Sequence, residues 1–230
     1  MYKKITHTIV EEHFDHPIAS QIKKTIDRSR IPTTEIFSES KFRADVHNYF
    51  LTLQSYLTEM TDSVNKPEQY LIAAFENMFK DNWIDGLGNM TKPFYFSDFS
   101  EVMNVTMRQL AIVTSSMVQN VQSGKETRNL VDIFRNQEAS LIAEAMGSVN
   151  YSWRYAEIRK MFVDIVINIL AETSKKWNKD TVNEQIAKDN LAGLFSMFER
   201  IFVEGIITQF PNRFTSSTAP STMSNNRDVM

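Results

Sequence analysis

No proline interrupts the chain between Pro93 and Pro211, and amphipathic stretches follow one another through this region. Proline ends or kinks helices, so a long proline-free region with apolar residues at helical spacing is typical of stacked helices. The 230 residues include only six glycines and six prolines, which is few for the many turns of a β-sandwich or barrel. We therefore expect an all-α bundle of six to seven helices, with long amphipathic helices in its C-terminal part.

Cap residues predict where the helices begin and end. Ser123 with Glu126, and Thr181 with Glu184, have the spacing of a capping box, in which the two side chains accept hydrogen bonds from free amide groups at a helix start. Gly86 predicts the end of a helix. On this basis we expect helices at 17–30, 36–63, 67–85, 98–122, 124–146, 149–176 and 181–209.

These helices predict one domain over residues 1–214, with residues 86–97 as the best candidate for an internal boundary. Residues 215–230 are rich in Ser, Thr and Asn and lack an apolar period, which is typical of a disordered polar tail. Segments 5–10 and 94–96 contain β-branched or aromatic residues, and they predict at most a small strand pair.

The last two predicted helices have apolar residues at alternating spacings of three and four, which predicts a buried seam. Both helices also have apolar residues outside that seam. A helix with more than one apolar face is either central in a bundle or buried on assembly. The seam residues are Ile158, Phe162, Ile165, Ile169, Ala187, Leu191, Leu194, Phe198, Ile201 and Gly205. The residues outside it are Val163, Val166, Ile167, Leu170, Phe195, Phe202, Ile206 and Phe210.

Composition excludes several kinds of chemistry. The chain contains no cysteine, so disulfides, thiolate catalysis and cysteine-ligated metal sites are excluded. Lys plus Arg number 25 against 28 for Asp plus Glu, and this balance does not predict nucleic-acid binding. The start of the chain lacks a secretory apolar region, and no apolar run reaches the ~20 residues of a membrane span. We therefore expect a cytoplasmic protein without a transmembrane segment.

The histidines are the candidates for metal chemistry. His13 and His16 stand among acidic residues, but His16 precedes Pro17 and is biased away from helical dihedrals. His47 lies inside a predicted helix beside aromatic residues, where it is either an axial haem ligand or a partly buried structural histidine. None of the four histidines has a glutamate three residues before it, which argues against a ferritin-like di-iron site. The phosphate-loop, nucleophile-elbow and zinc-protease motifs are also missing, so we assign no catalytic residue and no cofactor.

Three aromatic residues alternate between positions 151 and 155, close to two arginines. Aromatic and arginine side chains anchor many interfaces, although an ordinary helix–helix contact uses the same residues. The candidate interaction residues, taken from this segment and from the last helix, are Tyr151, Trp153, Tyr155, Phe198, Ile201 and Phe202.

Glu138, Ser148, Tyr151 and Asn168 are set among apolar positions at helical spacing. With these residues, the region from 130 to 177, about a fifth of the chain, resembles phasins and the non-catalytic subunit of two-component polyhydroxyalkanoate synthases. That resemblance implies a cysteine-poor helical protein that coats an apolar granule or supports a catalytic partner.

The pair His16–Pro17 and the aromatic helix around 49–56 are similar to the haem-oxygenase-like helical fold. The glycine-rich distal-helix motif of haem oxygenases and the later histidines of their di-iron relatives are absent from this chain. The metal chemistry of that fold is therefore not expected.

Three functions remain open. We favour a non-enzymatic helical protein that acts by association with itself, as a homo-oligomer, or with a protein partner or an apolar surface. The second hypothesis is a helical bundle that encloses a small apolar ligand, because methionine adapts to irregular cavities. Its candidate lining residues are Phe75, Met78, Phe79, Met103, Met107 and Met117. The third is a metal- or haem-dependent enzyme that uses His13, His16 or His47.

Overall fold

Six α-helices of 12 to 29 residues and two shorter ones account for most of residues 35–215, the part of the chain that the computed structural model describes. The predicted all-α fold is confirmed. Predicted helix 17–30, segment 5–10, His13, His16 and residues 216–230 lie outside the described residues. No helix within residues 35–215 is both long and apolar enough to cross a membrane.

The helices are α1 (Glu39–Asp62), α2 (Glu68–Phe79), α3 (Gly86–Thr91), α4 (Ser97–Gln122), α5 (Arg128–Asn136), α6 (Glu138–Val149), α7 (Tyr155–Trp177) and α8 (Thr181–Gln209). Short 3-10 turns occur at Ser63–Asn65, Lys80–Asp85 and Pro211–Arg213. Two two-residue strands, β1 (Phe37–Ser38) and β2 (Phe214–Thr215), pair in parallel and bring the two ends of the described chain together.

Helix α4 is the central element, because 16 of its 26 residues are buried and they point to most sides of the helix. Helices α1, α6 and α7 pack around it, and α8 packs against α7 and α1. One continuous cluster of buried side chains runs through all of these helices. An apolar surface around most of a helix is expected when that helix has neighbours on every side.

Trp153 connects three helices at one end of the bundle. Its indole lies between the rings of Phe99 and Phe202, with centroids 6.0 and 5.8 Å away and interplanar angles of 17° and 3°. The indole Nε1 donates a hydrogen bond of 3.0 Å to the carbonyl of Ile201. Gly205 is required for this contact, because a Cβ there would lie 2.1 Å from Trp153 Nε1.

Asn150 holds the turn that leads to Trp153. Its side-chain oxygen accepts hydrogen bonds from the amide and hydroxyl of Ser152, and its Nδ2 donates to the carbonyl of Gly205 at 2.7 Å. The same Nδ2 donates to the hydroxyl of Tyr95, which in turn donates to Gln209. A polar chain therefore joins the starts of α4 and α7 to the end of α8.

Two predicted helix starts and one predicted continuous helix are wrong, each for a local reason. Helix α7 begins at Tyr155, not at 149, because the hydrogen bonds of Asn150 fix a turn before it. Predicted helix 124–146 begins only at Arg128, because Gly124 (φ 63°) ends α4 in a left-handed conformation, with Lys125 donating to the carbonyl of Asn120. That helix is also divided at Gln137, where the Ser140 hydroxyl donates to the carbonyl of Arg135.

Two smaller predictions also need correction. Predicted helix 67–85 ends at Phe79, so Gly86 does not end it: 3-10 turns follow at Lys80–Asp85, and Gly86 begins α3. Residues 94–96 form no strand, and they lead directly into α4. The strand pair forms instead between β1 and β2, where Phe37, Phe94 and Phe214 pack with ring centroids 5.1 to 6.2 Å apart.

Substitution of Gly205 tests the Trp153 contact. We expect Gly205→Ala to lower the free energy of unfolding by about 1–3 kcal/mol, since the added methyl group must displace an indole that is held between two rings. Gly193→Ala in the same helix is the control, because a Cβ at Gly193 meets nothing within 4 Å. It should stabilise the helix by up to about 1 kcal/mol in urea unfolding at low protein concentration. Equal effects of the two substitutions would contradict the account.

Candidate interaction surface

Helices α7 and α8 form an antiparallel hairpin with a tight connection. Lys179 (φ 57°) ends α7 in the left-handed region, and the amide of Asp180 donates to the carbonyl of Lys175 at 2.9 Å. The Asp180 side chain then accepts a hydrogen bond from the amide of Asn183, which begins α8. The observed start of α8 agrees with the prediction, but Asp180 supplies the cap in place of the predicted Thr181.

The inner face of α8 completes the core. Of its predicted seam residues, Ala187, Leu191, Phe198 and Gly205 are buried, and Leu194 and Ile201 are partly buried. The rings of Phe162 on α7 and Phe198 on α8 meet at 4.9 Å. The apolar residues predicted to lie outside the seam are mostly buried as well, among them Phe195, Phe202 and Ile206. The wide inner face of α8 is therefore covered within the chain.

A second apolar stripe follows the opposite side of α8. Val182 is 71% exposed, Ile186 53% and Met197 37%. Residues 182, 186, 189, 193, 197 and 200 are spaced by four or three, so they share one face of the helix. We call this set the outer face of α8; it consists of Val182, Ile186, Asp189, Gly193, Met197 and Arg200, all of them exposed.

An exposed apolar side chain of α7 lies level with the middle of this face. Ile167 is 40% exposed. Phe162 of α7 and Phe198 of α8 are in contact. Ile167 comes five residues after Phe162, and Gly193 comes five residues before Phe198. Because the two helices are antiparallel, Ile167 and Gly193 lie at the same height along the hairpin.

The six predicted interaction residues divide into two groups. Trp153, Phe198 and Phe202 are inside the core, with at most 1% exposure, and Ile201 is partly buried. Tyr151 is 84% exposed in the turn before α7, and Tyr155 is about half exposed at the first position of that helix. Of the six predicted residues, only Tyr151 and Tyr155 thus have a ring at the surface. No residue of the outer face of α8 was predicted from the sequence as an interaction residue.

His47 is exposed on the surface of α1. Its Nδ1 is 3.0 Å from the carboxylate of Glu199 on α8. Within residues 35–215 no group of three or more His, Asp or Glu side chains is placed to hold a metal ion. The structure thus gives His47 a contact between α1 and α8.

The most concentrated polar chemistry inside the bundle is at the C-terminal ends of α1 and α7. The buried ammonium of Lys176 donates to Glu172 at 2.6 Å, to Thr61 at 2.7 Å and to Asp62 at 2.5 Å. Glu172 also accepts a hydrogen bond of 2.9 Å from the Thr61 hydroxyl. Because these groups pair with one another, they connect the C-terminal ends of the two helices.

Removal of one member of this cluster should be strongly destabilising. Lys176→Met leaves the Glu172 carboxylate buried without its cation, so we expect a loss of about 3–5 kcal/mol in the free energy of unfolding. The double variant Lys176→Met/Glu172→Leu removes both charges and should recover a large part of that loss in urea unfolding. If Lys176→Met is as stable as the wild type, the buried Glu172 does not depend on Lys176 for its stability.

Glu138 is a buried acid without a counter-charge among residues 35–215. Its Oε2 has no hydrogen-bond partner among the described residues, and burial raises the pKa of its carboxyl to about 7. The unfolded chain loses this proton near its ordinary pKa of 4.5, whereas the folded protein keeps it to about pH 7. The contribution of Glu138 to the free energy of unfolding is therefore fully present below pH 4.5. It falls between pH 4.5 and 7 and does not change further at higher pH.

The substitution Glu138→Gln removes this titration. Between pH 5 and pH 8 we expect the wild type to lose about 2–3 kcal/mol more of its free energy of unfolding than the variant does, since glutamine does not ionise. Glu144→Gln, at an exposed position of the same helix, is the control and should follow the wild type. Parallel stability–pH curves for Glu138→Gln and the wild type would contradict this account.

The side chains proposed to line an apolar ligand site belong to the core. The four methionines of that set are buried, and the rings of Phe75 and Phe79 are partly buried with centroids 4.9 Å apart. No ligand contact follows from these positions, and the apolar-ligand hypothesis stays a prediction.

Comparisons of the chain with protein-family models, with curated proteins and with solved structures find no match. The resemblance to phasins therefore stays a prediction.

Proposed function

We propose that the protein is non-enzymatic and acts by association, with the outer face of α8 as the contact surface. The observation that supports this proposal is a helix with two apolar sides. The inner side of α8 is buried in the core, so the outer side is not needed for folding. Val182, Ile186 and Met197 nevertheless place apolar groups there at helical spacing. Val182 and Ile186 are neighbours on this face, and exposed apolar groups that lie together favour contact with another apolar surface.

This proposal also gives a role to the hairpin itself. The buried residues of α8 extend from Ala187 to Ile206. A surface on a long helix that is anchored in this way keeps its shape on binding, because the helix is already ordered before the partner arrives. The turn at Lys179 and the cap at Asp180 fix the start of α8 close to Val182. Polar groups at Asp189 and Arg200 lie on the same stripe and orient the partner.

A pair of substitutions tests the contact surface. The variant Ile186→Gln/Met197→Gln removes apolar area from the outer face and keeps both the charge and the helix propensity. We expect wild-type protein to sediment as a species whose mass rises with concentration, or to float with triolein–phosphatidylcholine droplets, and the variant to lose that behaviour. Sedimentation velocity and droplet flotation are the two measurements.

The control variant is Tyr70→Gln/Tyr151→Gln. It also removes two exposed aromatic side chains, Tyr70 on α2 and Tyr151 in the turn before α7. Tyr151 is one of the interaction residues that the sequence predicts. It should associate like the wild type. If only this control variant loses association, the contact surface is at Tyr151 or Tyr70 and not on α8. If the wild type neither self-associates nor binds droplets, the proposed function is wrong.

A further inference from the structure

The outer face of α8 contains one acid and one base at matching positions. Asp189 and Arg200 are both exposed and stand 11 residues apart, which is about 20° of rotation on a helix with 3.6 residues per turn. They are therefore on one line along the helix, separated by about 16 Å. The residues near the midpoint of this line include Gly193 and Ser196, both small and both exposed.

Arg200 has no hydrogen bond or ion pair with any residue from 35 to 215. The carboxylate one helical turn away, Glu204, is held by Arg43 of α1 at 2.7 Å. Glu199, on another side of α8, faces His47. Arg200 is thus an exposed cation whose neighbouring acids have other partners.

Asp189 has capacity for a further contact. Its Oδ1 accepts a hydrogen bond of 2.8 Å from Gln185, one turn earlier on the same helix. Lys188, the adjacent base, pairs with Glu184 at 2.7 Å. A cation that approaches along the outer face therefore finds a carboxylate that no base of α8 neutralises.

From this arrangement, which rests on the proposed function, we infer that the partner is a second copy of the chain, docked with its α8 antiparallel to the first. A two-fold axis midway between positions 189 and 200 places each Asp189 opposite the partner's Arg200. Two equivalent ion pairs form in this way. A parallel two-fold pairing would place like charges opposite each other, which is unfavourable.

The same axis brings small residues to the crossing point. Gly193 faces the partner's Ser196, and Met197 faces the partner's Ala192. A methyl group at Gly193 would meet nothing within 4 Å in the single chain, so there is free space beside its backbone. Small residues allow two helix backbones to approach closely, which increases the contact made by the methionine and isoleucine side chains on either side.

Apolar contact and charge have different roles in this pairing. Exposed ion pairs contribute little to affinity, whereas opposite charges at fixed positions select orientation and partner. We therefore expect the apolar groups to supply most of the binding free energy. Asp189 and Arg200 set the register.

Charge reversal tests the register directly in the full-length chain. Asp189→Arg alone places two arginines opposite each other, and Arg200→Asp alone places two aspartates opposite each other. Each variant should dimerise about tenfold more weakly than the wild type, as two attractions become two repulsions. An equimolar mixture of the two variants restores both ion pairs, so it should form a heterodimer with nearly wild-type affinity. Native mass spectrometry with one variant labelled by nitrogen-15 identifies that heterodimer by mass.

Other outcomes separate this inference from the proposed function. If both reversals dimerise like the wild type and Ile186→Gln/Met197→Gln does not, the antiparallel register is overturned and the outer face remains the contact surface. If the wild type is monomeric at every concentration, a second copy is not the partner and the inference is overturned. In that case, flotation with droplets that is lost in Ile186→Gln/Met197→Gln would keep the proposed function, and no flotation would remove it as well.

Discussion

The packing of Trp153 against Gly205 is the contact on which the arrangement of the C-terminal helices depends. The indole is held between Phe99 of α4 and Phe202 of α8, and its N–H donates a hydrogen bond to the carbonyl of Ile201 in α8. Large aromatic side chains bury much apolar area, but an indole also needs a hydrogen-bond partner when it is buried. Gly205 makes both conditions compatible, because only a residue without a side chain lets the backbone approach the ring so closely.

This contact determines which side of α8 faces the core. Once Phe202 and Gly205 are directed at Trp153, the residues at helical spacing from them follow to the inside, and Val182, Ile186 and Met197 are left outside. The ion pair of Arg43 with Glu204 and the contact of His47 Nδ1 with the Glu199 carboxylate join α8 to α1 along its flank. The outer face is therefore a consequence of internal packing, and we attribute its apolar side chains to association because folding does not use them.

The parts of the fold that sequence patterns predicted are those with strong local signals. Helices α4 and α8 were predicted to within one residue at each end, since apolar periodicity and acidic residues in the first turn agree there. The break at Gln137 was missed because no glycine or proline marks it, and the start of α7 was missed because it depends on contacts of Asn150 with distant residues. The candidate interaction residues Trp153, Phe198 and Phe202 are of the aromatic type that anchors many interfaces. Their burial in the core depends on which helices lie beside them, and the sequence does not show this. Residues 182, 186 and 197 also have helical spacing in the sequence. Only the orientation of α8 in the bundle shows that their side chains are exposed and not part of the core.

The most direct measurement uses the fact that the chain contains no cysteine. A nitroxide spin label on Asn190→Cys, an exposed position beside the outer face, reports on the contact without a bulky group at the crossing point. One on Tyr70→Cys reports on a distant exposed helix. We expect the spectrum of the label at position 190 to broaden by dipolar coupling as protein concentration rises, since its two copies lie about 14 Å apart along the proposed pair of helices. The label at position 70 should stay sharp. A spectrum at position 190 that remains as sharp as that at position 70 at every concentration would contradict association through the outer face of α8.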